Sequence, residues 1–281
     1  MKTGMVLEGG AMRGMFTAGV LDVFMENQIE VDGFVGVSAG ACFGCNYKSR
    51  QIGRSIRYNL RFCQDKRYGT FTSLIKCGDL YEPKLCYHDI PLEYDPFDVE
   101  AFCNNPVKFY VACTDVDTGE PCYHLYEKSD ERDLLYMQAS ASMPLVSRVV
   151  EVDGRRLLDG GVSDSIPIEW FRSIGYEKNI VVQTRQEGYR KKNSGFTKAQ
   201  CLLLHKYPNL AKAMENRSER YNHTLDVISE LEKKGEVLVI RPSGTPEVGR
   251  MEHDPAKLQK LYELGRSDAE KKLDQVKAFL A

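Results

Sequence analysis

The sequence has no apolar run of the length that a membrane-spanning helix requires. Such a helix takes about 20 predominantly apolar residues, and no run of about 18 occurs in this chain of 281 residues. The apolar stretch near the N-terminus is short and ends at Glu8 and Gly9, so it does not have the form of a secretory signal peptide. We therefore expect neither a membrane span nor a secretory leader.

A surplus of positive charge is also absent. The chain has 38 basic and 40 acidic residues, with a formal net charge of −2. Because domains that bind nucleic acid generally carry a basic excess, this balance gives no reason to expect a nucleic-acid partner. The length fits one large α/β domain, or one with an appended subdomain.

The cysteines do not form a recognisable set of pairs. They number nine and are scattered, which suits free thiols in a reducing cytoplasm. Cys42 and Cys45 form a C-x-x-C, but no second pair or nearby histidine cluster completes a metal site. We therefore expect no metal and no cofactor. We interpret the pair as small residues that pack a helix against a sheet, with a redox or zinc site as the alternative.

Strand and helix patterns alternate at the start of the chain. A buried strand at 5–7 precedes a helix at 15–25, and a strand at 31–37 precedes a helix at 39–48. Short connections in this order predict an α/β fold, a three-layer sandwich with a mostly parallel central sheet and helices on both faces. Further strands are expected at 107–113, 122–126, 149–152, 156–158, 179–183 and 237–240.

The rest of the chain is more irregular. Residues 81–96 are rich in proline and tyrosine and predict irregular structure, and the basic residues 185–198 predict a mobile, solvated loop. Helical patterns at 198–234 and 255–280 then predict a helical C-terminal region. We therefore divide the chain into a domain at 1–198 and a mostly helical region at 199–281 packed on it. The C-terminal helices could cap a site, bind a partner or pack a dimer.

Residues 36–40 have the form of a nucleophile elbow. An apolar strand leads into Ser38, which has Gly36 and Gly40 two residues to either side, and a helix pattern follows. A sharp strand-to-helix turn needs small flanking residues and exposes the serine hydroxyl. Ser38 is therefore a candidate nucleophile. A chance match or a purely structural turn is the alternative.

The glycine-rich loop at 9–14 ends at the start of a helix. Free backbone N–H groups there could hold an oxyanion, and the loops after adjacent parallel strands open on the same edge of a sheet. The competing interpretation is a phosphate cradle for a nucleotide, although neither G-x-G-x-x-G nor G-x-x-x-x-G-K-[ST] is present. Arg13 suits either role, or simply supports the loop. The candidate oxyanion-binding residues are Gly9, Gly10, Ala11, Met12, Arg13 and Gly14.

A base for Ser38 is harder to assign. Asp159 follows an apolar strand and precedes two glycines, so a serine could approach it, but a turn aspartate has the same pattern. A triad in the order Ser, Asp, His would need His205, His223 or His253. None of these follows a strand end with glycine nearby, so each is interpreted as an ordinary surface or core histidine.

Three motifs taken together resemble a known family. Residues 7–14, 36–40 and 159–161 resemble, in this order, the motifs of patatin-like phospholipases, and the run at 139–144 is also similar to that family. The resemblance covers about residues 3 to 185. It implies a serine–aspartate dyad without histidine, with Ser38 as nucleophile and Asp159 as base. The amides of Gly10, Ala11 and Met12 would form the oxyanion hole.

The resemblance implies acyl transfer from an ester to water, without a metal. Ala11 departs from the family pattern, which has a third glycine there. The expected function is that of a cytoplasmic lipid acyl hydrolase or lysophospholipase-type esterase, with a lipid or acyl ester as its substrate. An acyltransferase, a nucleotide-binding module on the glycine loop and an inactive binding protein are the alternatives. Residues 81–97 or the basic stretch 185–192 could provide a peripheral contact with a lipid surface.

Overall fold

The computed structural model describes residues 1–192 and 203–281. Their strands are β1 (Lys2–Leu7), β2 (Gly33–Val37), β3 (Lys108–Asp115), β4 (Pro121–Leu125), β5 (Val150–Val152), β6 (Arg155–Asp159), β7 (Tyr176–Val182) and β8 (Val237–Ile240). Their α-helices are α1 (Met15–Glu26), α2 (Ala39–Lys48), α3 (Arg54–Phe62), α4 (Phe71–Cys77), α5 (Val99–Asn104), α6 (Glu131–Ala141), α7 (Ile168–Ser173), α8 (Pro208–Lys233) and α9 (Pro255–Leu280). None of the helices in these two ranges is long and apolar enough to cross a membrane.

The described strands form one mixed sheet with β1 near its centre. The order is β5-β6-β3-β2-β1-β7-β8, and β4 pairs with β3 outside this path. Strand β1 is parallel to β2 and β7, β3 is parallel to β2, and β8 is parallel to β7. The antiparallel pairs among the described strands are β3 with β4, β3 with β6 and β5 with β6. The predicted α/β fold with a mostly parallel sheet is confirmed.

Both faces of the central strands are buried. Met5 and Leu7 of β1 belong to the core that also contains α1, α2 and α9, whereas Val6 belongs to the core beneath α7 and α8. Successive residues of a strand point to opposite faces, so a strand covered on both sides is apolar at every position. This explains why the central strands are short continuous apolar runs in the sequence.

Residues 81–96 are more regular than predicted. A π-helix covers Leu85–Tyr94, with Pro91 inside it. Leu85 and Ile90 are its buried residues and lie five positions apart, which matches the i→i+5 winding of a π-helix and not the α-helical period. The Asp95 N–H donates to the Ile90 carbonyl at 2.9 Å in the same spacing. Residues 81–96 carry no α-helical pattern because their winding is not α-helical.

The C-terminal region shares the sheet and the hydrophobic core of the N-terminal region. Strand β8 extends the sheet next to β7, and α9 lies along α1. The predicted division between residues 198 and 199 lies outside the described residues, as do the end of the predicted loop at 185–198 and the first residues of the predicted helix at 198–234.

Two glycines allow the close approach of α1 and α9. A Cβ atom on Gly265 would collide with the Phe16 carbonyl oxygen, and one on Gly19 would collide with the Tyr262 carbonyl oxygen. We expect Gly265→Ala to lower the free energy of unfolding by about 1–3 kcal/mol, because backbone atoms cannot move aside as a side chain can. Urea denaturation measures this. Gly244→Ala is the matched control, since no atom lies within 4 Å of a Cβ there, and an equal loss in both variants would contradict the explanation.

Candidate active site

Ser38 lies on a strained turn between β2 and α2. Its φ and ψ are 54° and −122°, in the region that favours glycine. A Cβ atom on Gly40 would lie 2.5 Å from the Leu7 carbonyl oxygen, and one on Gly36 would lie 2.6 Å from the Ala41 backbone nitrogen. Both flanking glycines are therefore required by close backbone packing, as the elbow motif predicts.

The run at 139–144 connects the two candidate catalytic residues. The Ser38 N–H donates to the Ser140 hydroxyl at 2.9 Å, and that hydroxyl donates to the Ala112 carbonyl at 2.6 Å. The Asp159 N–H donates to the Ser142 carbonyl at 2.8 Å. This segment therefore holds the backbone of both residues in place.

Asp159 lies at the end of β6 and is only 6% exposed. Its Oδ1 accepts a hydrogen bond from the Gly161 N–H at 2.7 Å. Burial raises the pKa of Asp159, while the positive charge of Arg217 and hydrogen bonding from the Ser38 side chain lower it. The structure thus brings together the serine and the carboxylate that the sequence singled out, although they lie far apart in the chain.

The loop at 9–14 lies beside the serine turn. A Cβ atom on Gly9 would be 3.4 Å from the Ser38 Cβ. Among the described residues, the N–H groups of Gly10, Ala11 and Met12 make no hydrogen bond. Ala11 has a φ of 48°, so it occupies a left-handed conformation that glycine adopts at lower cost. The loop therefore keeps these three N–H groups available as donors, and its backbone is strained at Ala11.

The histidines lie away from this pair. His124 Nε2 is 2.6 Å from Asp133 Oδ1, and His253 Nδ1 is 2.7 Å from the Cys63 carbonyl oxygen. His88, His205 and His223 are exposed. All five histidines of the sequence fall in the described ranges, and none of them hydrogen-bonds to Ser38 or Asp159. The geometry therefore offers no imidazole to complete a triad.

An apolar cavity of about 160 Å³ opens next to Ser38. Its walls come from the loop at 9–14, α2, α3, the π-helix, α6 and the segment after α6, and include Met12, Tyr58, Ile90 and Met137. Such a lining suits a hydrocarbon chain better than a polar ligand.

Cys42 and Cys45 line this cavity, which corrects their interpretation as residues packed against the sheet. The face of α2 that contacts the sheet carries Gly40 and Gly44, and a Cβ atom on Gly44 would lie 2.9 Å from Leu7 Cδ1. Spacings of three and four residues share one helix face, so Ser38, Cys42 and Cys45 share the opposite face. Burial raises the pKa of both thiols.

Residues that the sequence analysis did not connect with the site surround it on the side of α8. Of the charged groups near Asp159, Arg217 has the largest effect on its pKa, which it lowers. The Tyr221 hydroxyl donates a hydrogen bond to Glu8 Oε1 at 2.7 Å. Lys191 lies 4.1 Å from the Tyr221 ring centroid. The predicted solvated loop is therefore wrong for Arg185, Tyr189 and Lys191, which are half-buried. No local pattern marks these residues, because tertiary packing alone brings them to the site.

Comparison with known proteins identifies two regions. A family model described as Patatin-like phospholipase matches residues 5–171. A second model, described as a domain of unknown function, DUF6363, matches residues 207–281. The first match includes Ser38, Asp159 and the loop at 9–14, and the second includes α8, β8 and α9.

Two curated relatives and one solved structure illustrate the range of similarity. "Uncharacterized protein YjjU" of Escherichia coli (strain K12) is 30% identical over 190 residues, which are 64% of this chain and 51% of that protein. "Lysophospholipase NTE1" of Coccidioides immitis is 24% identical over 297 residues, which cover 98% of this chain and 18% of that protein. The crystal structure of VipD from Legionella pneumophila aligns with a TM-score of 0.46 and 13% identity, over 98% of this chain and 67% of that one.

The match to the patatin-like model spans more than half of the chain. This chain itself spans about half the length of the Escherichia coli relative and under a fifth of the fungal one. The motifs at 7–14, 36–40 and 159–161 all fall inside the matched region. The chain belongs to the patatin-like phospholipase family.

Proposed function

We propose that the chain is a serine acyl hydrolase of the phospholipase A or lysophospholipase type, with Ser38 as nucleophile and Asp159 as general base. The supporting observation is that Ser38, which interacts with Asp159, lines an apolar cavity and lies beside amides that have no partner among the described residues. The name of the fungal relative, a lysophospholipase, agrees with this assignment.

Acylation begins with Ser38 Oγ. Its proton passes to the Asp159 carboxylate as the oxygen attacks the ester carbonyl carbon, and the carbonyl π electrons move onto the carbonyl oxygen. The N–H groups of Gly10, Ala11 and Met12 bind that oxyanion, and because they are already oriented they need not reorganise in the transition state. Collapse of the tetrahedral intermediate expels the alkoxide, which takes the proton from Asp159.

Deacylation repeats these steps with water. Asp159 accepts a proton from the water molecule that attacks the acyl-serine, and the same amides hold the second oxyanion. Collapse of this intermediate releases the fatty acid, and Asp159 returns the proton to Ser38 Oγ. An aspartate is a weak base in water, so its burial at this site helps it to accept a proton near neutral pH.

The cavity receives the acyl chain in this proposal. Exposed apolar side chains lie on the segments that form its walls, among them Leu92 on the π-helix, at 71%, and Leu145 after α6, at 38%. We place a peripheral contact with a lipid surface there. The proposed compartment is the cytoplasm, for which the scattered cysteines of the sequence are the argument.

The function is tested by labelling and by product analysis. A fluorophosphonate probe should modify Ser38, as located by peptide mass spectrometry, and the unlabelled protein should release fatty acid from p-nitrophenyl esters and lysophospholipids in buffer alone. If acyl product forms only when an alcohol or amine acceptor is added, the protein is a transferase. If neither labelling nor release occurs, the proposed function is wrong.

The pH dependence of the reaction should reflect the buried base. Asp159 acts only as a carboxylate, and its pKa in the folded protein lies above the ordinary value of 3.8 because of burial. We therefore expect kcat/KM for a soluble ester to fall as the pH is lowered through a midpoint above 3.8. A pH–rate profile with a short-chain ester measures this midpoint, and a midpoint at or below 3.8 would contradict the assigned environment.

A further inference from the structure

The apolar cavity next to Ser38 also contains polar side chains that the proposed reaction does not use. Four buried residues among those that line it carry such groups, namely Arg54, Tyr58, Asn59 and Asp79. An alkyl chain that filled the cavity would take water away from every polar atom on its walls, which is costly for an atom without another partner. The partners that these groups already have therefore decide what the cavity can bind.

The protein itself satisfies two of these polar groups. The Arg54 guanidinium donates to the Asp95 carbonyl oxygen at 2.7 and 3.0 Å and to Asn46 Oδ1 at 2.9 Å. Asn59 Oδ1 accepts a hydrogen bond from the Tyr68 hydroxyl at 2.9 Å. Arg54 and Asn59 are thus held within the cavity wall by their own hydrogen bonds.

Tyr58 and Asp79 keep hydrogen-bonding capacity that the described residues do not use. The Tyr58 hydroxyl makes no hydrogen bond within residues 1–192 and 203–281, and its oxygen is not sealed from the cavity. Asp79 Oδ1 accepts from the Arg148 N–H at 2.8 Å, whereas its Oδ2 accepts from none of the described donors. Burial raises the pKa of Tyr58, so its hydroxyl stays protonated and can donate as well as accept.

Tyr58 lies some distance beyond the ester end of the cavity. It packs against Phe43 of α2 with ring centroids 6.4 Å apart. Phe43 is five residues after Ser38, which is about 7–8 Å along the helix. Asp79 lines the same cavity. Burial raises the pKa of Tyr87 in the cavity wall, and the nearby Tyr58 and Asp79 raise it further, so both approach the same tyrosine.

We propose that the cavity selects acyl chains that carry a hydroxyl group on the hydrocarbon chain, away from the ester, with Tyr58 and Asp79 as the hydrogen-bond partners. The inference rests on the proposed hydrolase function and specifies the acyl group of its substrate. A hydroxyl can accept from or donate to Tyr58 and can donate to Asp79, whereas a carboxylate or phosphate on the chain would meet the Asp79 charge in the same cavity. A site built to hydrogen-bond a substrate hydroxyl discriminates against the analogue that lacks it.

Matched p-nitrophenyl esters test the proposal, each used below its critical micelle concentration. Decanoate and 7-hydroxydecanoate differ only in a hydroxyl remote from the ester, and the ratio of their kcat/KM values measures its recognition. We expect the wild type to prefer the hydroxylated ester at least about fivefold, which is the order of one added hydrogen bond. Tyr58→Phe removes only the unpartnered hydroxyl and should lower this ratio at least about threefold. An unchanged ratio in Tyr58→Phe would overturn the proposal.

Two controls separate recognition of the chain from general effects. Tyr47→Phe removes a buried hydroxyl that donates to the Ile29 carbonyl oxygen at 2.7 Å outside the cavity. It should lower the midpoint of thermal unfolding and leave the ratio unchanged, whereas Tyr58→Phe should leave the midpoint unchanged. The ester of 3-hydroxydecanoate has its hydroxyl next to the carbonyl, so Tyr58→Phe should not alter its kcat/KM relative to decanoate. An equal loss for the 3-hydroxy ester would overturn the position assigned to the hydroxyl.

A ketone tests the part played by Asp79. The oxygen of 7-oxodecanoate can accept a hydrogen bond but cannot donate one to a carboxylate, so we expect the wild type to prefer the 7-hydroxy ester to the 7-oxo ester. Asp79→Asn should narrow this difference, because an amide can donate to the ketone and can still accept from the Arg148 N–H. A wild type that prefers the ketone would overturn the role of Asp79.

A binding measurement separates this proposal from the hydrolase assignment. Calorimetry with Ser38→Ala needs no turnover, and we expect methyl 7-hydroxydecanoate to bind at least about threefold more tightly than methyl decanoate. Adding Tyr58→Phe should abolish the difference. Preferential binding of the hydroxylated ester without hydrolysis by the wild type would refute the hydrolase and keep the hydroxyl site. Equal binding of the two methyl esters with normal hydrolysis by the wild type would overturn the hydroxyl site and keep the hydrolase.

Discussion

Replacing Ser38 by alanine is expected to reduce ester hydrolysis to background, a loss of at least about 10⁴-fold in kcat. The hydroxyl is the only proposed nucleophile, so the remaining loop amides can stabilise an oxyanion but form no acyl-enzyme. The fold should persist, because the Ser38 backbone N–H, and not its side chain, makes the hydrogen bond to Ser140. The rate of release from a soluble ester, with thermal unfolding measured in parallel, checks both statements.

The companion change Asp159→Asn should lower kcat by about 10²- to 10⁴-fold, the range that a general base contributes. The amide oxygen can still accept the Gly161 N–H, which the carboxylate accepts at 2.7 Å, so the turn is retained. The amide cannot, however, take the proton of Ser38. A variant with normal thermal stability and near wild-type activity would refute Asp159 as the base.

Histidine variants are the controls that separate a dyad from a triad. His223 is exposed on α8, and His253 hydrogen-bonds to the Cys63 carbonyl. We expect alanine at either position to leave kcat within about twofold of the wild type, since neither imidazole hydrogen-bonds to Ser38 or Asp159. A loss at His223 or His253 as large as that of Asp159→Asn would favour a triad.

Much of the fold could be predicted because its signals are local. The strand at 237–240 and the helices at 39–48 and 255–280 have the predicted limits. Strands covered on both faces are continuous apolar runs, and the elbow fixes where α2 begins. The two positive-φ residues Asp153 and Gly154 likewise form the tight turn that their sequence indicates.

The parts that could not be predicted depend on contacts between distant segments. Arg217 reaches the site because α8 packs on one face of the sheet, and Lys191 because its backbone hydrogen-bonds to Asn222 of α8. Nothing in the neighbouring sequence marks either residue. The sequence marks Glu8 only as the residue that ends an apolar stretch, whereas in the fold Glu8 accepts hydrogen bonds from Tyr221 and Thr184. Cys42 and Cys45 could have been placed correctly, because their spacing from Ser38 puts all three on one helix face.

The positions of Cys42 and Cys45 on the helix face that they share with Ser38 predict how the cavity would limit acyl-chain length. With a rise of about 1.5 Å per residue, Cys42 lies about 6 Å and Cys45 about 10 Å beyond Ser38 along α2. A phenylalanine at either position would fill part of the cavity that both cysteines line. We expect Cys42→Phe to accept only short acyl groups and Cys45→Phe to accept intermediate ones. The kcat/KM for longer chains should fall at least about tenfold relative to the shortest ester, because each methylene excluded from an apolar pocket is costly.

The measurement is the ratio of kcat/KM values across p-nitrophenyl esters from butyrate to palmitate, which cancels any general loss of activity from overpacking. Overpacking itself should cost about 1–3 kcal/mol of stability, and thermal unfolding monitors it. Cys42→Ala and Cys45→Ala are matched controls that enlarge the cavity, so neither should exclude the longer esters. A profile in both phenylalanine variants that parallels the wild type would show that the acyl chain does not lie along α2. If Cys45→Phe instead excluded shorter acyl chains than Cys42→Phe, the chain would enter from the far end of the cavity. The bulky side chain nearer to Ser38 must otherwise stop the chain first.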